Sequence, residues 1–260
     1  MRTLTLALVA AALLLAACGD DDTDSSPTPS SGATTASGSP TPSAAATAIA
    51  NDASGPTAEP PSETQPPSAT APPIAVVTIL SPVDKDHALS STYVPPTLAS
   101  IPGAYMAPGF TGQLRQEAVD ALVRMLDDAG AAGHDVRTSS AYRSYATQES
   151  TFNYWVGSVG YDEAVRISAM AGHSEHQLGT TADLSSPAVG WGLNESFGAT
   201  PEGQWLAANA PDYGFVLSYP AGSEAITGYS YEPWHFRYLG DAEAQAWKAS
   251  GLTLNQYLLQ

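Results

Sequence analysis

Apolar residues between Gln113 and Ala132 recur at spacings of three and four positions, a pattern that predicts an amphipathic helix. Two glycines, Gly130 and Gly133, predict where this helix ends. We expect the apolar stripe to face the core of the protein. Its members are Leu114, Ala118, Ala121, Leu122, Met125 and Ala129.

Shorter patterns predict strands and further helices around this central helix. Apolar and β-branched runs predict strands at residues 75–80, 135–141, 214–220 and within 226–240. Helices are expected over residues 145–156, 161–169 and 200–209, and one or two small helices over 241–259. Ser144 and Thr200 are candidate N-caps, and Pro201 follows the second of them. The pattern indicates an α+β fold in which a small antiparallel sheet is flanked by helices.

Residues 1–17 have the features of a bacterial lipoprotein signal peptide. Arg2 precedes an apolar run that is too short to be a stable transmembrane helix, and Leu15, Ala16 and Ala17 stand directly before Cys18. An ordinary secretory peptide with an incidental cysteine is the alternative. Cys18 is the only cysteine, however, and therefore has no intramolecular disulfide partner. We expect Cys18 to carry lipid and to anchor the protein on the extracytoplasmic side of the membrane, facing the cell wall.

The composition changes between residues 18–73 and residues 74–260. The first segment is rich in Ser, Thr, Pro, Ala, Gly and Asp and has almost no large apolar residue, which predicts a disordered tether. The second is long enough to bury the core of a single domain. The net charge of −17 argues against nucleic acid as a partner. A small peptide with a free carboxylate remains compatible where local cations offset the negative field.

The segment GHSEHQLGTTAD at residues 172–183, read together with EPWH at 232–235, predicts a zinc site. A catalytic zinc takes three protein ligands from His and carboxylate side chains and keeps a fourth position open for water. His176, Asp183 and His235 supply that set. His173 lies three residues before His176, so it is a second candidate ligand at helical spacing.

A base is also needed, because the metal-bound water must lose a proton. Glu232 is the candidate, three residues before His235. An ideal strand would place these two side chains on opposite faces. Pro233 favours an edge, turn or bulge that can bring both to one side. The predicted hairpin of the last two strands would then place Glu232 and His235 against the strand that contains Asp183.

Three motifs occur in the order SAYRSYATQ (residues 140–148), SEHQLGTTAD (174–183) and EPWHFRY (232–238). Together they resemble the VanY-type D-alanyl-D-alanine carboxypeptidases, a family of zinc peptidases that act on bacterial cell-wall stem peptides. The resemblance extends from about Leu80 to the C-terminus. It implies that His176, Asp183 and His235 bind one zinc ion and that Glu232 is the catalytic base.

The same resemblance implies further roles for residues around the metal. Arg143 would stabilise the scissile carbonyl as it becomes an oxyanion, a role that suits a permanently charged guanidinium. Gln148 and Ser174 would lie beside the substrate. His173 would not be a zinc ligand but would contact a ligand or the substrate.

The motif between the first two ligands departs from the usual form of the family at Leu178 and Thr180. We expect these changes to alter packing without loss of the metal, because neither position is a ligand. The predicted activity is removal of the terminal D-alanine from peptidoglycan stem peptides. The alternatives are an L,D-carboxypeptidase or a D-Ala-D-Ala dipeptidase of the same fold, or a wall-binding module that keeps the zinc without hydrolysis. No residue needed for the chemistry is missing, which disfavours the binding module.

Overall fold

The structure is a computed structural model that describes residues 73–260. The predicted signal peptide, Cys18 and the predicted tether up to residue 72 lie outside the described residues. Within residues 73–260, none of the helices has the length and apolar character needed to cross a bilayer.

The helices and strands follow one another irregularly along the described chain. In order they are β1 (Leu98–Ser100), β2 (Gln113–Arg115), α1 (Gln116–Ala131), β3 (Arg137–Ser140), α2 (Tyr145–Val159), α3 (Tyr161–Ile167), β4 (Thr181–Ser185), α4 (Pro201–Asn209), β5 (Phe215–Leu217), α5 (Glu224–Thr227), β6 (His235–Tyr238), α6 (Asp241–Ser250) and α7 (Leu254–Leu258). Short 3-10 turns connect several of them, including one at Glu175–Leu178.

Two antiparallel sheets organise these elements. The strands β1 and β2 form one sheet, and the other has the strand order β3-β4-β6-β5. In the larger sheet Asp183 on β4 is directly opposite His235 on β6. The strands β5 and β6, which were predicted to form a hairpin, pair with each other antiparallel. The α+β fold predicted from the sequence is confirmed.

The main core lies between α1 and the larger sheet. The apolar stripe of α1 is buried there, with Leu122 and Met125 fully enclosed, as its spacing predicted. The start of the predicted helix is wrong by three residues. Residues 113–115 form β2 instead, because Leu114 pairs with Ala99 of β1 before the chain turns into the helix.

The predicted strand at residues 75–80 is absent from the structure; these residues form bends and turns. Val76 is 79% exposed, so the β-branched run does not supply a buried strand face. Two carbonyl groups of this region, those of Ile79 and Ser81, accept hydrogen bonds from the buried guanidinium of Arg237 and not from a neighbouring strand. Hydrogen bonds from the side chain of Arg237 therefore take the place of the backbone hydrogen bonds that a neighbouring strand would have made.

The same N-terminal region packs over the metal motif. Val83 and Leu89 form a small apolar cluster with Leu178, which is completely buried. The apolar residue at position 178, one of the two departures from the family motif, is therefore accommodated in an apolar cluster. Ser144 and Thr200 cap α2 and α4 by accepting hydrogen bonds from Thr147 N and Gly203 N, as predicted.

Candidate metal centre

Three elements bring His176, Asp183 and His235 together. His176 comes from the 3-10 turn, Asp183 from the middle of β4 and His235 from the first position of β6. One ligand atom from each lies within 4.8 Å of the others, and all three residues are buried. His176 Nε2 is 3.2 Å from Asp183 Oδ2, and His235 Nδ1 is 3.3 Å from Asp183 Oδ1.

The opposite nitrogen of each imidazole ring is held by an acceptor. His176 Nδ1 lies 2.7 Å from the carbonyl oxygen of Ala141, and His235 Nε2 lies 2.9 Å from Oε2 of Glu175. A carbonyl or carboxylate oxygen can only accept, so both of these nitrogens carry a proton. The other ring nitrogens, His176 Nε2 and His235 Nδ1, face Asp183 and can offer their lone pairs to a metal ion bound there.

The donor set fits zinc. Two neutral imidazole nitrogens and one carboxylate are a typical catalytic ligand set. Asp183 Oδ1 is buried without a satisfying hydrogen-bond partner, as expected for an oxygen placed to bind a cation. Burial alone would raise the pKa of Asp183, but the adjacent His176 and His235 hold it well below its usual range. The carboxylate is thus an anion at neutral pH.

Glu232 lies in a turn directly before β6. The amide of His235 donates to the carbonyl of Glu232 (3.1 Å), with Pro233 and Trp234 at the corner of the turn. The turn is one of the geometries that Pro233 was expected to favour, and it puts Glu232 Oε2 3.4 Å from His235 Nδ1. Burial raises the pKa of Glu232 to about 7, an effect that His235 only partly offsets. This carboxyl group can therefore exchange a proton near neutral pH.

Arg143 is fixed beside the metal ligands by two side chains. Its Nη1 donates to Oε1 of Gln148 (2.8 Å) and its Nη2 to Oγ of Ser140 (3.2 Å). Nη2 also lies 3.9 Å from Oδ2 of Asp183. Gln148 is itself held by its Nε2, which donates to the carbonyl of Ala169 at 2.6 Å. Gln148 thus orients Arg143 in addition to facing the cavity.

The predicted zinc ligands, catalytic base, oxyanion donor and substrate-binding residues all line one open cavity of about 650 Å³. These residues are Arg143, Gln148, Ser174, His176, Asp183, Glu232 and His235. Aromatic and aliphatic side chains form much of the remaining wall, namely Phe110, Trp155, Leu193, Tyr219, Tyr229 and Trp234. The cavity therefore combines a polar, metal-binding region with an apolar surface, as small-molecule and peptide sites usually do.

His173 is not among the residues that line this cavity. Its Nδ1 lies 2.7 Å from the carbonyl oxygen of Asp84, so its ring holds the N-terminal region of the described chain. The expectation that it contacts a ligand or the substrate finds no support in these contacts. His87 Nδ1 lies 2.8 Å from Oδ1 of Asp84. The hydrogen bonds of His87 do not reach any of the three predicted zinc ligands.

The sequence analysis missed Glu175, Ser218 and Arg237. Their polar atoms form a buried cluster behind His235, with Glu175 accepting from both of the others. A carboxylate next to a predicted ligand, within the SEHQ motif, was the available signal for Glu175. Ser218 and Arg237 had no comparable local signal, because their burial depends on the pairing of β5 with β6.

Comparison with known proteins gives consistent matches. A family model described as VanY, D-alanyl-D-alanine carboxypeptidase, matches residues 111–241. The putative carboxypeptidase YodJ of Bacillus subtilis (strain 168) is 40% identical over 181 residues, which cover 69% of this chain and 66% of YodJ. The chain thus spans slightly less than two thirds of that relative.

Solved structures match over a similar region. The structure of the LD-carboxypeptidase LdcB, which was described in relation to peptidoglycan recognition, matches this chain with a TM-score of 0.65 and 40% sequence identity. The match covers 70% of this chain and 86% of LdcB. A mutant of the vancomycin resistance D,D-pentapeptidase VanY in complex with Zn(II) has a TM-score of 0.57 and 26% identity, covering 69% and 98%.

Proposed function

Since the chain belongs to the VanY family of D-alanyl-D-alanine carboxypeptidases, we propose that it is a zinc carboxypeptidase that removes the terminal D-alanine from peptidoglycan stem peptides. One observation carries the proposal: a ligand set suited to zinc, a largely buried carboxyl group with a pKa near neutrality and a fixed guanidinium all face a single cavity. These are the groups that hydrolysis of a peptide bond requires.

In this proposal His176, Asp183 and His235 hold the zinc ion. When bound there, zinc supplies Lewis acidity that lowers the pKa of water and polarises a carbonyl group. The carboxylate of Glu232 takes the proton from the attacking water and later donates it to the amine of the departing D-alanine. Arg143 donates to the carbonyl oxygen of the scissile bond as negative charge develops there.

The contacts of Arg143 explain why it would act without a large rearrangement. Gln148 and Ser140 each occupy one terminal nitrogen of the guanidinium, so its plane is fixed before substrate arrives. Preorganised donors are more effective than mobile ones, because no reorientation is needed as charge develops. Ser174, which is buried and faces the same cavity, is proposed to contact the substrate beside the first ligand.

A second substrate class has specific support. LdcB, which is 40% identical to this chain, is described as an LD-carboxypeptidase. We therefore keep removal of D-alanine from a tetrapeptide stem, across an L,D bond, as the alternative reaction of the same residues. Cleavage of free D-Ala-D-Ala, the reaction of a dipeptidase of the same fold, is the other alternative.

The proposed experiment measures the products released from synthetic stems by mass spectrometry. A pentapeptide ending in D-Ala-D-Ala, the corresponding tetrapeptide and free D-Ala-D-Ala are each incubated with the purified protein, with zinc and with a chelator. Release of single D-alanine from the pentapeptide that stops with chelator and returns with zinc supports the main proposal. Faster cleavage of the tetrapeptide supports the L,D alternative. Stoichiometric zinc binding without hydrolysis of any substrate would contradict both and favour the wall-binding module.

Attachment to the membrane through Cys18 is a separate proposal, supported by the sequence Leu-Ala-Ala-Cys that ends the apolar N-terminal run. It would place the peptidase outside the cytoplasm, where its substrate is found. Labelling of the wild-type protein with a fatty acid in bacteria, and loss of the label in Cys18→Ala, is the expected result. Equal labelling of the two proteins would refute lipid attachment at Cys18.

A further inference from the structure

A buried carboxylate outside the proposed catalytic set lies behind the metal ligands. Glu175 is 4% exposed, and both of its oxygens are occupied. Oε2 accepts from Oγ of Ser218 at 2.7 Å and from Nε2 of His235 at 2.9 Å, and Oε1 accepts from Nη1 of Arg237 at 2.7 Å. All of these contacts are to protein groups, and one of them reaches a proposed metal ligand directly.

Arg237 connects this carboxylate to the N-terminal region of the described chain. The residue is completely buried, and its Nη2 donates to the carbonyl oxygens of Ile79 (2.9 Å) and Ser81 (2.7 Å). The guanidinium is therefore held on one side by the main chain and on the other by Glu175. A continuous chain of hydrogen bonds runs from residues 79–81 through Arg237 and Glu175 to His235.

The orientation of the His235 ring matters for metal binding, because either nitrogen of an imidazole can bind a metal and the ring can rotate. A carboxylate at Nε2 keeps the proton on that nitrogen and leaves the lone pair of Nδ1 available. It also increases the basicity of Nδ1, which strengthens binding to a metal. The other oxygen of Glu175 accepts from the buried Arg237, and this contact holds the carboxylate in its position against His235.

We propose that Glu175 is a positioning residue of the metal site, and that Arg237 and the main chain of residues 79–81 hold it in place. The inference rests on the proposed function in one respect, because it assumes that His235 binds zinc. It assigns the N-terminal region a role in metal affinity as well as in covering the domain. A purely structural ion pair would contribute to folding but would leave zinc affinity unchanged, which separates the two interpretations.

The test compares full-length variants with the wild-type protein in two measurements. The zinc dissociation constant is measured by competition with a chromogenic chelator, and the geometry of the site is monitored by the visible absorption of the Co(II)-substituted protein. Glu175→Gln keeps the shape of the side chain and removes its charge, and Arg237→Lys removes the fork that joins Glu175 to the main chain. We expect each to weaken zinc binding by about 10- to 100-fold and to change the Co(II) spectrum, because the position of His235 is altered.

Arg115→Lys is the matched control. Arg115 is a buried arginine that also donates to a main-chain carbonyl, that of Leu178, and to the N-terminal region through Oη of Tyr93. It makes no contact with Glu175, so its replacement is expected to lower the melting temperature while zinc affinity and the Co(II) spectrum stay at wild-type values. A folded Glu175→Gln protein with wild-type zinc affinity and spectrum would overturn the proposal.

A milder variant keeps the test valid if Glu175→Gln does not fold. Ser218→Ala removes one hydrogen bond from the oxygen that faces His235, and we expect a severalfold loss of zinc affinity. Wild-type affinity in that folded variant would also overturn the inference. If the wild-type protein itself binds no zinc, the proposed function fails together with this one; if it binds zinc and the variants match it, only the positioning role is refuted.

Discussion

Replacement of Glu232 by Gln is predicted to separate metal binding from turnover. An amide of the same shape cannot accept a proton from water, so we expect kcat to fall by about 10²- to 10⁴-fold. Zinc is expected to remain bound, because the grouped ligand atoms come from His176, Asp183 and His235 and not from Glu232. Zinc stoichiometry is measured by metal analysis, and kcat by release of D-alanine from the preferred stem peptide.

The same substitution is predicted to stabilise the metal-free protein at neutral and alkaline pH. The pKa of Glu232 is raised by burial from an ordinary value of 4.5 to about 7, so between these values the folded state binds more protons than the unfolded state. The free energy of unfolding therefore decreases as the pH rises through this window. The difference between the two pKa values corresponds to about 3 kcal/mol, a loss that the Glu232→Gln protein avoids because an amide does not titrate.

Urea denaturation of chelator-treated protein at about pH 4 and about pH 8 checks this magnitude. The stability of Glu232→Gln relative to wild type is expected to increase by about 3 kcal/mol between the two conditions. Glu149→Gln is the matched control, since Glu149 is exposed on α2, and its relative stability is expected to stay constant. Near wild-type turnover in Glu232→Gln would show that Glu232 is not the catalytic base. A stability relative to wild type that does not change with pH would refute the free-energy cost of ionising the buried Glu232.

Three further predictions concern the oxyanion donor, the packing of α4 and the metal. Arg143→Lys is expected to lower kcat and kcat/KM together by about 10²- to 10³-fold in the hydrolysis assay, because a lysine cannot keep both fixed contacts of the guanidinium; a change in KM alone would contradict this role. Gly203→Ala is expected to lower the free energy of unfolding by about 1–3 kcal/mol in urea denaturation, because the added Cβ would lie 2.1 Å from the carbonyl oxygen of Phe197. The added Cβ of Gly130→Ala in α1 would meet no atom within 4 Å, so this control is expected to raise the free energy of unfolding by up to about 1 kcal/mol. Equal effects of the two alanines would refute the packing argument. Zinc at about 100 times its dissociation constant is expected to raise the free energy of unfolding by about 2.7 kcal/mol, seen as a higher melting temperature that chelator reverses; an unchanged melting temperature would argue against specific binding to the folded state.

Features with a local physical cause were predictable from the sequence. The α1 stripe follows from the helical period, and the caps at Ser144 and Thr200 follow from side chains that can accept a hydrogen bond from an amide within the first turn. The approach of His235 to Asp183 was also anticipated, because the predicted hairpin was expected to lie against the strand that contains Asp183. Family resemblance was needed to choose among the histidines near the site.

Features that depend on distant partners were not predictable in the same way. The β-branched run at residues 75–80 has the composition of a strand, but no strand pairs with it, and Arg237 satisfies carbonyl groups of Ile79 and Ser81 instead. Likewise, Gln148 was expected at the substrate, while its contacts show that it also holds Arg143. Arg237 approaches from a strand far along the chain, and single-sequence patterns contain no record of that approach. The contact of Gln148 with Arg143 is local, but it depends on side-chain orientations that the sequence pattern does not fix.

The three carboxyl groups of the site differ in how far their neighbours counteract the effect of burial on the pKa. Burial alone would raise the pKa of each of them. Arg237 and His235 reverse this effect for Glu175, whose pKa is lowered to about 2, and two histidines do so for Asp183. For Glu232, His235 offsets burial only in part and the nearby Asp183 carboxylate adds to the rise, so its pKa is raised to about 7. Groups whose environments drive their pKa values apart can take different chemical roles. The fixed anions therefore suit metal binding and support of a ligand, and the one carboxyl group left near neutrality suits proton transfer.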